Sequence, residues 1–274
     1  MTPEPVARPK RRSARVRLDQ LLVERGLVES RSRAQALVLA GKVRVGDGDG
    51  ARLDHKPGDA LDPATAIEVA QPEPYVSRGG HKLAAALDAF GIDPTGLTAL
   101  DVGASTGGFT DVLLQRGARH VYALDVGRGQ LAEPLRRDER VTSMERTNAR
   151  TLTDTTLPEP IDLAVVDVSF ISLDKVLGPI ASTLSQRAPI VALVKPQFEA
   201  GKGRTDHGVV RDPEIHREVL ERVVAVAAEH GLGTRAVIVS PILGPQGNRE
   251  FLVHLAPGPG CAEIGELIAE ATTP

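Results

Sequence analysis

The chain is expected to fold as a small α+β head followed by a doubly wound, Rossmann-like α/β body. Three observations predict this. From about residue 78 onward, short apolar strands alternate with helical segments, the pattern of a parallel sheet with helices on both faces. A glycine-rich loop, Gly103 to Gly108, joins the first of those strands to a helix. Charge is also divided unevenly. Residues 8–44 hold eleven basic residues (Arg8, Lys10, Arg11, Arg12, Arg15, Arg17, Arg25, Arg31, Arg33, Lys42 and Arg44) against Asp19, Glu24 and Glu29. The rest of the chain is acidic, so a basic head on an acidic body points to a polyanionic partner; a solvated basic tail is the plainer alternative.

The composition excludes several classes. The 274 residues are 41% apolar and 25% charged, with a net charge of −3, so the bulk is neither disordered nor collagen-like. One cysteine, Cys261, excludes an internal disulfide framework and a cysteine metal cluster. The seven histidines show no metal-ligand spacing, so no metal is expected. No apolar run approaches the roughly 18 residues of a membrane span. The basic N-terminus lacks the apolar stretch of a secretory signal. The expectation is a protein of the reducing cytoplasm with no membrane partner. Nothing in the sequence specifies an oligomeric state.

In chain order, residues 1–14 are rich in Pro and Arg and read as a disordered basic tail. Leu18, Leu21 and Leu22 fall on one helical face, and Gly26 stops that helix. Ser30 is an N-cap for a second helix with Ala34, Leu37 and Val38 inward and Gly41 at its end. Lys42–Val45 alternates as a strand and 46–50 is a turn; 51–54 and 66–70 read as further short strands. Basic side chains at a helix start and on the next strand suit phosphates, which makes Arg15, Arg17, Arg31, Arg33, Lys42 and Arg44 the candidate RNA-binding set. The ordered set R-L-D-x-L-L-x-x-R-G, S-R-x-x-A and G-x-V-x-V resembles the S4 RNA-binding domain over residues 15–70. Arg52-Leu53-Asp54 looks like the Arg-Leu-Asp motif of pseudouridine synthases. It lies inside the S4-like module, so Asp54 reads as an ordinary turn acid.

Residues 71–77 form a Pro-punctuated linker, and 78–272 the α/β body. Strands are expected at 98–102, 120–125, 161–167, 189–195, 234–240 and 250–255, and helices at 80–90, 108–116, 173–184 and 213–229. The loop after the first strand spans Asp101, Gly103, Ala104, Ser105, Thr106, Gly107, Gly108 and Phe109. Its spacing is G-x-x-x-G-G rather than the G-x-G-x-x-G of a dinucleotide loop. Asp125 ends the next strand, where a carboxylate offers acceptors to both hydroxyls of a ribose. This combination resembles an S-adenosylmethionine loop, with the helix N-terminus serving the methionine carboxylate. Asn148, after the third strand, is placed to contact adenine; a tight strand–helix turn with a surface acid is the alternative for the whole set.

Four charged residues mark strand ends or lie beside the linker: Lys82, Asp167, Lys195 and Glu250. The Glu250 strand must run antiparallel to bring that residue to the same edge. Methyl transfer to a hydroxyl needs its proton removed as the bond forms. A lysine does this only when its pKa falls from about 10.4, and a second lysine or partial burial pushes in that direction. Alone, Lys82 also fits a solvated helix lysine, Asp167 an N-cap and Glu250 an edge-strand charge. Their order and spacing resemble the Lys-Asp-Lys-Glu tetrad of the FtsJ-like ribose 2′-O-methyltransferases. The resemblance implies Lys195 as general base, Asp167 and Lys82 orienting the hydroxyl, Asp167 also bordering the cofactor, and Glu250 pairing with Lys82 or Lys195.

Head and body together, through YVSRGGHKL, DVGASTGGFT, DVSFISL, LVKPQFE and GVVRDP, resemble the TlyA family. That resemblance implies S-adenosyl-L-methionine as cofactor, ribosomal RNA or ribosomal subunits as partner, and cytidine ribose as acceptor. The family has also been labelled haemolysin. Arg78 and His81 beside the linker suit RNA contact or helix capping. The loop 197–212, with Lys202 and Arg204, suits an RNA-facing lid or a plain surface loop, and Arg128, Arg136 and Arg137 a basic track or a solvated face. Two other functions compete. A binding or assembly factor with a non-catalytic methyltransferase domain would bind cofactor without turnover. A membrane-active haemolysin would need an amphipathic or spanning segment, and none is seen.

Overall fold

The structure is a computed structural model that describes residues 14–70, 73–201 and 203–273. All but the last residue of the expected tail, and Lys202, lie outside the described residues. The chain divides into two compact units, Met1–Pro72 and Glu73–Pro274.

The first unit runs β1 (Val16–Arg17), α1 (Leu18–Glu24), α2 (Arg31–Leu39), β2 (Val43–Val45), β3 (Ala60–Leu61) and β4 (Ile67–Val69). Both helices stop by the same device. Gly26 and Gly41 each take φ +66°, and the next residue donates its N–H back into the last turn, Leu27 to Leu22 O and Lys42 to Leu37 O. Ser30 starts α2 by accepting from the Arg33 N–H. Strands pair as β1 with β3 and β2 with β4, both antiparallel. Val43 and Val45 point into a core of Leu18, Leu22, Ala34 and Val38, and Arg44 between them points out. Two expectations need correcting. Residues 51–54 form no strand; Arg52 makes a single bridge to Val45, and the missing strand is β3. The turn at 48–50 is one turn of 3-10 helix.

The second unit continues with α3 (Gly79–Phe90), β5 (Thr98–Val102), α4 (Gly108–Gln115), β6 (His120–Leu124), α5 (Glu133–Arg136), β7 (Val141–Met144), β8 (Leu163–Val166) and α6 (Leu177–Ser182). It ends with β9 (Ile190–Val194), α7 (Pro196–Glu199), α8 (Pro213–Glu229), β10 (Leu232–Val239), β11 (Phe251–Pro257) and α9 (Ile264–Thr272). Seven strands form one sheet in the order β10-β11-β9-β8-β5-β6-β7. All neighbours are parallel except β11, which runs against both β9 and β10. This is the doubly wound α/β fold expected. Successive residues of β8 show why the strand reads as an unbroken apolar run. Leu163 and Val165 bury against α3 and α4, Ala164 and Val166 against α6 and α8. The expected helix 173–184 is divided into a 3-10 turn at 173–175 and α6, because Val176 leaves helical geometry (φ −123°).

The chain passes from β5 outward to β6 and β7, then crosses back to β8 on the other side of β5. That reversal opens a crevice at the carboxyl ends of β5 and β8, where ligands of such sheets bind. Residues 74–76 are tied to α4 beside it. Val76 N–H donates to Asp111 and Gln115 donates to the Pro74 carbonyl.

Candidate active site

Two cavities open at that crevice and share Gly103, Ser105 and Asp167. The first, about 360 Å³, is lined by Leu124, Asp125, Val126, Gln130, Asn148, Ala149 and the loop 167–171. The second, about 480 Å³, is lined by Ser77, Arg78, Gly79, Lys82, Gly103–Thr106, Gly108, Phe109, Asp167, Lys195, Ile242–Pro245 and Glu250.

The glycine loop is shaped by close approach. A Cβ on Gly103 would lie 2.5 Å from the Asp167 carbonyl oxygen, and one on Gly108 would lie 2.2 Å from Ser77 Oγ. Only glycine lets the two strand ends and the two helix starts come so near. Ser105 takes φ 47°, and its N–H donates to Asp125 Oδ2 at 2.8 Å. Asp125 Oδ1 accepts from Gly127 N at 2.7 Å. Each Asp125 oxygen thus keeps acceptor capacity toward the first cavity. Asn148 lines the first cavity, and its Oδ1 caps the turn 149–151 by accepting from Arg150 N.

Two members of the expected cofactor set stand elsewhere. Asp101 lines neither cavity. It is fully buried, Oδ2 accepts from Thr110 at 2.7 Å, and Oδ1 has no partner. Burial pushes its carboxyl up to about 7, and the charges of Asp167 and Asp125 push the same way. Gly107 also lines neither cavity; it takes φ +99° and packs against Leu131 and Leu135. Ala104, Thr106 and Phe109 line the second cavity rather than the first.

The four charged residues converge as two ion pairs. Lys82, in the first turn of α3, lies 2.5 Å from Glu250 Oε2. Lys195, one residue past β9, lies 2.5 Å from Asp167 Oδ1, and donates to Ser169 Oγ at 2.8 Å. Register explains the meeting. Phe251 pairs with Val194, so Glu250 sits opposite Lys195 at the same edge. Glu250 is fully buried, and both lysines are buried but for their cavity face. A buried charge requires a partner, and here each has one of opposite sign.

Sequence reasoning missed Ser169, Gln130 and Phe170. Phe170 is 90% exposed, takes φ 63° and stands at the first cavity with its ring 4.9 Å from Phe198. Leu243, on the rim of the second cavity, is also exposed. Ser169 and Phe170 lie in the quoted DVSF, so the motif was visible but the roles were not.

In the first unit, Arg17 and Arg31 are brought together by Asp19. Arg17 donates through Nε and Nη2 at 3.0 and 2.9 Å, and Arg31 through Nε at 3.1 Å. Arg15, Arg33, Lys42 and Arg44 are exposed and form no ion pair among the described residues. Arg78 is exposed at the second cavity of the other unit.

With that geometry in place, comparison with known proteins is decisive. The FtsJ-like methyltransferase family matches residues 75–256, and the S4 domain matches residues 16–47. A Mycobacterium tuberculosis protein named 16S/23S rRNA (cytidine-2′-O)-methyltransferase TlyA is 50% identical over 88% of this chain and 90% of its own length. The chain belongs to the TlyA family of S4-bearing, FtsJ-like methyltransferases. It is an enzyme of the methyltransferase class. A Brachyspira hyodysenteriae relative named Hemolysin A is 42% identical over 87% of this chain and 99% of its own. A solved structure from Streptococcus thermophilus, also named a hemolysin, is 43% identical and superposes with a TM-score of 0.71, covering 94% of this chain and 96% of that one. Among the described residues, no helix is long and apolar enough to cross a membrane.

Proposed function

We propose that this chain transfers a methyl group from S-adenosyl-L-methionine to the 2′-hydroxyl of a cytidine in ribosomal RNA. The observation that carries the reading is the pairing of Lys195 with Asp167 and Lys82 with Glu250 in the wall of the second cavity, with Asp167 also reaching the first. The printed substrate of the 50% identical relative points the same way.

The residues present fit the cofactor. Asp125 offers two oxygens to a ribose, the apolar walls around Ala149 and Val168 suit a purine, and the N-terminus of α4 faces the second cavity. Asp125, Asn148, Gly103 and Ser105 would hold it, and when bound it supplies an electrophilic methyl group on a positively charged sulfur. The protein then has four tasks. Lys195, placed by Asp167 and Ser169, acts as the free amine after giving its ammonium proton to solvent, and Nζ then accepts the hydroxyl proton as the oxygen bonds to the methyl carbon. Lys82, held by Glu250, orients the acceptor ribose. Phe170 offers a face on which a base can stack. The exposed arginines around Asp19 and on β2 supply phosphate contacts that position the RNA. The reading places the enzyme in the cytoplasm with its substrate.

The test uses methyl-labelled cofactor with purified ribosomal subunits and their extracted RNAs. Wild type is expected to place label that resists alkaline hydrolysis at a single dinucleotide. Lys195→Ala is expected to lose roughly 10²–10⁴-fold in transfer while retaining cofactor binding. Cofactor binding without label in any of these RNAs would overturn the assignment.

A further inference from the structure

Glu199 is a buried carboxylate that the proposed chemistry does not use. It is 7% exposed, in the short helix α7 that begins just after Lys195. Both of its oxygens are committed to one loop. Oε2 accepts from Ser172 Oγ at 2.6 Å and Oε1 from the Leu173 N–H at 2.8 Å. A buried carboxylate needs donors to offset its lost hydration, and here both come from the segment that follows Asp167. Burial pushes this carboxyl up from the ordinary glutamate range.

Two further residues of the stretch 195–199, Lys195 and Phe198, also touch that loop. Lys195 holds Asp167 and Ser169, and the Phe198 ring lies against Phe170. Between these contacts the loop carries Phe170 at φ 63°, a conformation a bulky side chain holds only when its surroundings over-determine it. Arg222 donates to the Glu199 carbonyl, which fixes α7 from the α8 side.

We propose that Glu199 is a positioning residue: through Ser172 and Leu173 it clamps the 167–173 loop so that Ser169 meets Lys195 and Phe170 stands at the cavity rim. The transfer arm of its test rests on the function proposed above; the exchange arm does not. Glu199→Ala leaves two donors without their acceptor and frees the strained turn. Glu199→Gln keeps the shape, with its carbonyl for Leu173 and its amide for Ser172.

The experiment compares wild type, Glu199→Ala and Glu199→Gln by amide hydrogen exchange and by single-turnover transfer to ribosomal RNA. In Glu199→Ala, exchange in 168–173 is expected to rise about tenfold or more, with β8 and β9 unchanged. Transfer is expected to fall roughly tenfold to a hundredfold with RNA saturating. Glu199→Gln restores both readouts. In a Phe170→Ala background, Glu199→Ala is expected to add little, because both act through one loop. Unchanged exchange in 168–173, or effects of the two substitutions that multiply independently, would overturn the clamp. If Glu199→Ala does not fold, Ser172→Ala removes one arm of the clamp and is judged by the same exchange readout. If wild type transfers no label, the proposed function fails, and the exchange arm still decides the role of Glu199.

Discussion

The first unit contains the same tripeptide twice. Arg17-Leu18-Asp19 and Arg52-Leu53-Asp54 each close an arginine-to-aspartate pair through Nε and Nη2. There the likeness ends. Leu18 and Asp19 are fully buried, whereas Leu53 and Asp54 are more than half exposed. At the first, the Leu18 and Asp19 N–H groups are bonded to Asp59 and Pro57 carbonyls, and the Asp19 carboxylate gains Arg31 and Gln35 as further donors. At the second, the Arg52 backbone is bridged to Val45, but among the described residues no further side-chain donor reaches the Asp54 carboxylate. The difference teaches that sequence sets the local pair, and that neighbours distant in sequence decide whether it matters.

A third aspartate, Asp101, extends the comparison to the other unit. Neither Asp19 nor Asp101 exposes surface, but Asp101 lies far deeper in the protein, and their carboxyls move in opposite directions. The Arg17 bond, with Gln35 and Arg31 behind it, holds Asp19 well below the usual carboxylate range. Asp101 has one hydroxyl donor and two nearby acids, so burial prevails and lifts it to about 7. Burial sets the cost, and the number of donors decides the sign.

A first expected effect, on stability and RNA binding together, lies at Asp19. Asp19→Ala should cost about 2 kcal/mol in urea unfolding of the first unit, discounted because Arg17 and Arg31 can turn to solvent. It should also weaken RNA binding and flatten its salt dependence, since two arginines lose their fixed geometry. Asp19 has a depressed folded-state pKa, so its contribution is present above about pH 4 and is lost as pH falls below that. A change smaller than about 0.5 kcal/mol would mean the pair is no better placed than the exposed one.

How much of this was legible beforehand follows the same line. Strands whose apolar runs bury on both faces, such as β5 and β9, were readable because periodicity and burial coincide. The edge strand β7, Val-Thr-Ser-Met, is expected before Asn148 but has no bounds legible in the sequence, because it is half polar and flanked on one side only. The helix α7 was missed because Pro196 marks an extended break in sequence and an N1 position in the fold. α9 has an apolar face but no side-chain cap to announce its start. The four charged residues could be named from sequence, but Glu250 could be paired with either lysine. Only the register of β11 against β9 and the placing of Lys82 in α3 show which. Asp101 was assigned to the cofactor because it ends a strand beside the loop; the fold buries it beneath that loop instead.

Asp101 supplies the second prediction. Its folded-state pKa lies above the unfolded value of about 3.9. Its contribution is therefore fully present below about pH 4 and is lost as pH rises through about 7. Asp101→Asn keeps an acceptor for Thr110 and never ionises. The variant should match wild type near pH 4 and become more stable than it by roughly 2–4 kcal/mol above pH 7. Thermal unfolding across that range reads the difference. An advantage that does not grow with pH would show that Asp101 ionises as readily in the folded protein as in the unfolded chain.

The smallest effect is expected at the exposed twin. Asp54 is bonded to Arg52 by the same fork as Asp19 to Arg17, and its carboxyl is likewise pulled down, by Arg52 first. A solvated pair exchanges protein contacts for water contacts of similar worth and is screened by salt. Asp54→Ala is therefore expected to leave the unfolding midpoint and methyl transfer within error of wild type. A loss approaching that of Asp19→Ala would mean that the bidentate pair alone, without burial or further donors, stabilises the unit, and the contrast between the two tripeptides would have to be explained by something other than their surroundings.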